Sequence, residues 1–556
     1  MPPQTLINSS SLSEILEDGD LLRELAAALK NFLQSQRWFA AKTEGIGAVE
    51  ILDSVSIPGA PTAFELVLAS VTTNGGLTDC YALPMAVVPR NAAAASEATI
   101  ADLTGMGNET PSATVLIECS GLAEFWRAIT TALADRPLTT RNGRELQLSR
   151  TSNSQLADAA SLSRSPFIVH GGEQSNSAVV IGDDFFLKLF RRPRIGHNPD
   201  AEIGIFLTDR TDFRNSPRVD ATINIVGSDG HRCLALISEQ VSAATDAWSY
   251  TLDNLKDYWQ RLAELVDRPE VPPGIAPRED STFDSVVGDF NRIGELIPKL
   301  LGPFHQDVAQ LGRRTAELHT ALSSCHDDPA FTPELLTQES LNELISQIRK
   351  EVQTTCDLLV RTDHDIAISS DLPSRISDRA HKFLDRMLTF DAAQANVVNI
   401  RCHGDYHLGQ VLRTNSDFVI LDFEGEPDRP FDERRQKRCA MKDVAGMIRS
   451  LHYASCAATV GMLPPPDPSI TNAKYWQRFW YECAAAAFSV AYKDTAEGQS
   501  FLPADWEDYE KLLDLFLIEK VLYELRYEIN NRPDWVKIPL AGLNAVLRLN
   551  DENATW

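Results

Sequence analysis

Residues 401 to 443 read RCHGDYHLGQVLRTNSDFVILDFEGEPDRPFDERRQKRCAMKD. Within them, His403-Gly404-Asp405 is followed by Gln410, five positions after the aspartate, and an apolar run, FVILDF, delivers Asp422. An aspartate, an amide at that offset and a second aspartate at a strand end form the catalytic-loop and metal-strand pattern of ATP-dependent phosphotransferases. The spacing predicts a kinase-type fold. Asp405 is the candidate base for an acceptor hydroxyl, with His403 fixing the loop through its ring nitrogens. Gln410 and Asp422 offer the oxygen ligands that Mg²⁺ prefers beside phosphates and water. A bare turn in which Asp405 caps a following helix would leave Gln410 and Asp422 unaccounted for. Glu424 shares the strand face of Asp422 and is expected to reach metal or sugar hydroxyls, the alternative being a solvated turn carboxylate.

Upstream, FIVHGGEQSNSAVVIGDDFFLKLFRR from Phe167 reads as strand, polar glycine-containing loop, strand, Gly-Asp-Asp turn and strand. This meander ends in Lys188, whose apolar neighbours force its ammonium toward a partner or ligand. Glu202, fourteen residues on in the helical stretch DAEIGIFL, is the expected clamp that sets Lys188 against ATP phosphates. The loop residues Gln174, Ser175, Asn176 and Ser177 could cradle phosphate oxygens, although a hairpin turn would use the same glycines. The strand LALISEQV offers the backbone of Ser238, Glu239 and Val241 to a purine edge.

Residues 47 to 90 read as alternating strands of a small β-rich cap, and residues 91 to 150 add one strand, TVLIE, and one helix, AEFWRAITTALADR, without visible chemistry. From Leu252 onward the period is helical, apart from the strand pair around the central motif. A β-rich lobe joined to a larger α-helical lobe results, an α+β architecture. Near the C-terminus, FLIEKVLYELRYEINNRPDW places Lys520, Glu524, Tyr527 and Asn531 along one helix face. With Tyr523 and Trp535 these form the candidate acceptor set, against the alternative of a solvated face with Trp535 in the core. Asp443 is expected to be structural, opening a helix and bonding back to the catalytic loop.

With 556 residues, two or three packed units are expected. A formal charge of -26, from 78 acidic and 52 basic side chains, repels nucleic acid and anionic membrane surfaces, so neither is an expected partner. Nine cysteines, odd in number and never in CxxC spacing, suit reduced thiols in the cytoplasm. No signal-peptide pattern opens the sequence, and no run of about 18 apolar residues could span a bilayer. A soluble, cytoplasmic protein is expected.

On these blocks the chain resembles the maltokinase family, including kinase domains fused to trehalose synthases. The resemblance rests on HGDYHLGQVL, VILDFEGEPDRP, ERRQKR, KDVAGMIRSLHYA, EQSNSAVVIGDDFFLKLFRR with NPDAEIGIFLTDRT, GRRTAELHTAL and LYELRYEINNRPDWVKIPL, between Phe167 and Leu540, while QRWFAAK at 36 to 42 resembles the family's N-terminal signature. It implies a eukaryotic-protein-kinase-like, aminoglycoside-phosphotransferase-like bilobal fold. The expected parts are a cap at 1–95, a nucleotide-binding lobe at 96–240 and a helical lobe with the sugar site at 241–556. It further implies Mg²⁺-ATP transfer to the anomeric hydroxyl of maltose, giving maltose 1-phosphate for α-glucan synthesis. Asp405 would be the base, Gln410 and Asp422 the Mg²⁺ ligands, and Lys188 the phosphate lysine. Any trehalose synthase partner would be a separate chain. Two other readings stay open: the same machinery acting on glucosamine or an aminoglycoside, and a non-catalytic kinase-like partner of trehalose synthase, which predicts damaged phosphate machinery.

Overall fold

In the computed structural model, the described residues are 6–7, 9, 11–36, 38–39, 42, 44–59, 63–92, 98–104, 114–170, 176–266, 297–362, 369–427, 429–468, 470, 473–547 and 549. The chain forms two compact units, one of residues 1–210 with 217–242 and one of residues 211–216 with 243–556.

The first unit holds two sheets. Strands Ile46–Ile57, Phe64–Thr73 and Thr78–Pro89 pair as an antiparallel meander, followed in space by Thr114–Glu118, Thr99–Leu103 and the short Leu6–Ile7. Over 66–69 the strand Phe64–Thr73 is apolar on both faces because both are covered there. Val67, Ala69 and Val71 lie in the core that includes Leu25, Leu29 and Leu33 of helix Gly19–Ser35, while Phe64, Leu66 and Leu68 join Phe125 and Trp126 of helix Ala123–Asp135. The expected cap boundary at residue 95 is corrected here. Met85 pairs with Glu118 and Thr99 with Ile117, so the cap sheet continues through Glu118. That pairing is long-range, and no local period announces it.

The second sheet runs Leu138–Thr139, Glu145–Arg150, Val219–Gly227, Gly230–Glu239, Phe185–Leu189, Ser177–Ile181 and Phe167–Val169, all antiparallel. It contains the meander read from the sequence, plus Glu145–Arg150 and Val219–Gly227, which were not foreseen. Arg191, just beyond the Lys188 strand, ties this sheet to the cap. Its guanidinium lies 4.0 Å from the Trp38 ring centre, donates to Ser120 Oγ at 3.0 Å and sits 3.5 Å from Glu118.

The second unit is helical, with Ala247–Val266, Phe304–Leu322, Gln338–Thr362, Leu372–Met387, Met441–Ser455, Ala473–Thr495, Trp506–Asn531 and Lys537–Leu547 as its longer helices. Helices Phe304–Leu322 and Ala473–Thr495 touch at Gly312, where a Cβ would stand 2.2 Å from the Phe488 carbonyl oxygen. The hairpin Val411–Arg413 and Phe418–Ile420, extended by Thr245–Asp246, carries the central motif. Among the described residues no helix is long and apolar enough to cross a membrane. The nine cysteines form no disulfide, and all but Cys80 are buried.

Candidate active site

The loop after Ile400 is held by one buried carboxylate. Asp443, in the first turn of Met441–Ser455, accepts from His403 N at 2.7 Å and from Gly404 N at 2.9 Å, the structural role expected of it. His319 Nε2 lies 3.0 Å from the same carboxylate and its Nδ1 lies 2.8 Å from the Tyr492 hydroxyl. Burial opposes the charge on Asp443, but the His319 bond, the electrostatic attraction of the His319 and His403 rings and the Gly404 N–H hold its pKa below the ordinary value. Gly404 has φ +84°, a left-handed conformation that a side chain would strain. The helix can approach because Gly446 has no Cβ; one there would meet the Tyr406 carbonyl oxygen at 2.5 Å.

His403 connects the loop to the metal strand. Its Nδ1 accepts from Asp405 N at 3.4 Å, which assigns the proton to Nε2, and Nε2 donates to Leu421 O at 2.8 Å. Hairpin pairing of Val411 with Ile420 and the bond from Leu421 N to Gln410 O, 2.9 Å, bring Gln410 and Asp422 to the same end of the hairpin. Asp422 has φ +63°, a conformation that aspartate tolerates better than most residues. Leu408–Gln410 is a single 3-10 turn capped by His407, so Asp405 is not the cap of a helix. His407 Nε2 stands 3.9 Å from Asp405, and desolvation lowers its pKa against the pull of that carboxylate.

Lys520 is the acceptor-set residue that meets the catalytic loop. Its Nζ lies 3.2 Å from Asp405 Oδ1 and 2.9 Å from Glu426 Oε1. Glu426 is 3% exposed and also binds Arg429 Nε at 2.6 Å and Lys442 Nζ at 3.3 Å, while Arg429 reaches Glu519 at 2.7 Å. Burial disfavours both charged forms, yet the surrounding cations hold the Glu426 pKa well below normal and the carboxylates hold that of Lys520 well above. Both therefore stay ionised. The cluster of Glu426, Arg429, Lys442 and Glu519 was missed from sequence; the signal was the Glu426–Arg429 spacing directly after Glu424.

The rest of the acceptor set divides. Tyr523 has its ring 4.8 Å from the Lys520 ammonium and stacks on Tyr527 with ring centres 6.3 Å apart. Glu524 is corrected from ligand to counter-ion: its Oε2 accepts from Arg449 Nε at 2.9 Å and Nη2 at 2.7 Å inside the core. Asn531 is exposed and donates to Tyr527 O of its own helix. Trp535 packs against Tyr453 and lies 4.4 Å from the Arg532 guanidinium.

In the first unit the lysine clamp is corrected. Lys188 Nζ makes its ion pair with Asp200 Oδ2 at 2.9 Å, whereas Glu202 lines a recess with His197, Ala201 and Ile205. Two residues along a helix turn about 200°, so Asp200 and Glu202 cannot face the same way. The purine-edge reading also changes. Ser238 is paired on both sides, with Phe186 and Val219; Glu239 N donates to Arg218 O and Gln240 N to Asp184 O. Only Val241 follows the end of the strand. Asn176 Oδ1 accepts from Arg191 N, and Ser177 Oγ bonds to Ser120 Oγ, while Gln174 and Ser175 lie outside the described residues.

Comparison with known proteins agrees with this layout. Residues 32–112 match the maltokinase N-terminal cap domain. A glucosamine kinase of Streptacidiphilus jiangxiensis is 26% identical over 387 residues, covering 68% of this chain and 73% of the relative. A glucosamine kinase of Mycolicibacterium smegmatis (strain ATCC 700084 / mc(2)155) is 25% identical over 434 residues, 77% of this chain and 88% of its own. A solved glucosamine kinase structure superposes with a TM-score of 0.55 at 19% identity, over 94% of this chain and 99% of that one. Another, holding glucosamine, ADP and inorganic phosphate, gives a TM-score of 0.54 at 18% identity, again over 94% and 99%. Fold and relatives define a capped phosphotransferase of the kinase-like class. The cap region at residues 32–112 is of the maltokinase N-terminal cap type.

Proposed function

We propose that the protein is an ATP-dependent kinase of a neutral sugar, phosphorylating maltose to maltose 1-phosphate. The observation that carries the choice is the Lys520 ammonium 3.2 Å from Asp405. A neutral sugar hydroxyl can donate to Asp405 and accept from Lys520. An acceptor ammonium about 4 Å from Lys520 would meet a repulsion of about 4 kcal/mol at an effective dielectric of 20. Names of the relatives favour glucosamine as the second reading; the fixed cation beside the base weighs against it.

In this reading Asp405 takes the proton of the anomeric hydroxyl as it attacks the γ-phosphorus of ATP, while Lys520 orients that hydroxyl. His403 and Asp443 hold the loop so that the carboxylate needs no reorganisation. Lys188, kept in place by Asp200, is the phosphate-binding lysine. The Asp422 carboxylate with the Gln410 amide oxygen is a hard donor set that suits Mg²⁺, which when bound would offset phosphate charge. Glu424, next but one to Asp422, remains a candidate for either ligand. The product would enter α-glucan assembly, with a trehalose synthase on a separate chain supplying maltose in the cytoplasm.

ADP release from Mg²⁺-ATP with maltose, glucose, glucosamine, trehalose and kanamycin, with products identified by mass and NMR, tests the proposal. Maltose-selective turnover with phosphate at the anomeric position is expected. Preference for glucosamine would overturn the acceptor and keep the kinase, and no turnover with any acceptor would favour the non-catalytic reading.

A further inference from the structure

Along Phe64–Thr73 of the cap sheet, the face covered by the N-terminal helices carries Val71, Ala69 and Val67, and then Glu65. Cross-strand pairing sets Ser56 opposite Glu65 and Ser54 opposite Val67, so three polar side chains continue an apolar face. They line a cavity of about 920 Å³, whose wall also includes Arg141, Thr139 and Ser13. A sheet face turns polar where protein does not fill the space above it.

Two observations mark this as a site for a ligand. Ser54 is 4% exposed and lines the cavity, and its hydroxyl has no hydrogen-bond partner among the described residues, although its backbone N–H and C=O are bonded to Asp53 and Arg141. That hydroxyl, on the cavity wall, can both donate to and accept from a ligand group. Glu65 has its pKa raised by burial, with the Ser56 hydroxyl and the Arg141 charge pulling the other way. Arg141 itself is anchored, donating to Leu16 O at 2.5 Å.

The lining selects a chemical class. An anion needs donors and a cation needs acceptors, but here hydroxyls that do both accompany the carboxylates of Glu17 and Glu65 and the guanidinium of Arg141. The volume falls in the range of small-molecule pockets. We propose that this cap cavity binds a neutral polyhydroxylated ligand, a small saccharide, through Ser54, Ser56, Glu65 and Arg141. The inference rests on the first unit alone and is independent of the acceptor assigned to Asp405.

The test is calorimetric titration of glucose, maltose, maltotriose and trehalose into the full chain and into Ser56→Trp and Glu65→Gln. Ser56 is exposed on an edge strand, so the indole can fill the cavity without entering the core. The expected result is that one equivalent of bound sugar is lost in Ser56→Trp and weakened about tenfold in Glu65→Gln, with thermal midpoints unchanged and turnover at Asp405 intact. Equal stoichiometry and affinity in all three proteins, zero binding included, overturns the proposal. Should Ser56→Trp fail to fold, Glu65→Gln decides alone.

Discussion

Lys520 Nζ lies 3.2 Å from Asp405 Oδ1 although 115 residues separate them, and the same ammonium is 2.9 Å from the buried Glu426. The candidate base thus carries a permanent cation at its side, and that cation is held from behind by a carboxylate which three basic residues keep ionised.

Replacing Lys520 by Gln should therefore change selectivity as well as rate. We expect kcat/KM for maltose to fall about 100-fold, the loss of a charge-assisted contact of about 2.7 kcal/mol. The ratio of kcat/KM for glucosamine to that for maltose should rise at least tenfold. Steady-state kinetics with both sugars measures it; an unchanged ratio would remove the electrostatic argument for a neutral acceptor.

Asp405→Asn should lower kcat about 10²- to 10⁴-fold, the range for losing a positioned general base. Nucleotide affinity, read by fluorescence titration, should be nearly unchanged. Comparable turnover in wild type and variant would take the base away from Asp405.

The two acids of helix Pro199–Arg210 should behave differently. Asp200→Asn leaves Lys188 without its 2.9 Å ion pair and is expected to raise KM for ATP about tenfold or more. Glu202→Gln should alter it less than twofold. If the pattern is reversed, the clamp runs to Glu202 after all.

Asp417 gives a pH signature. It accepts from Arg314 Nε at 2.8 Å and Nη2 at 2.7 Å, pinning helix Phe304–Leu322 to the central hairpin. Burial raises its pKa, but that guanidinium and the Phe418 N–H outweigh burial and bring it down to about 2. Since the folded value lies below the unfolded one, the carboxylate contributes stability above about pH 4 and loses it as pH falls toward 2. Wild type should be more stable than Asp417→Asn at pH 6, and denaturant midpoints should converge between about pH 4 and pH 2. A gap that persists at pH 2 would show that the difference is steric.

Much of this protein was legible in its sequence because the signals are local. The spacing of His403, Asp405, Gln410 and Asp422, the meander ending at Lys188 and the helical period after Leu252 each depend on neighbours a few residues away, and Asp443 could be read as a bond back to the loop. Tertiary structure alone decided what depends on partners distant in the chain. It chose Asp200 over Glu202 for Lys188, because the helix presents a face and not a position. It assigned Glu524 to Arg449 and Lys520 to Asp405, though both residues lie on one helix, because which side chain meets a buried counter-charge is set by packing against other helices. It extended the cap through Glu118 and left Ser54 and Glu65 on a polar cavity wall, since strand pairing joins segments whose order and register no local pattern specifies.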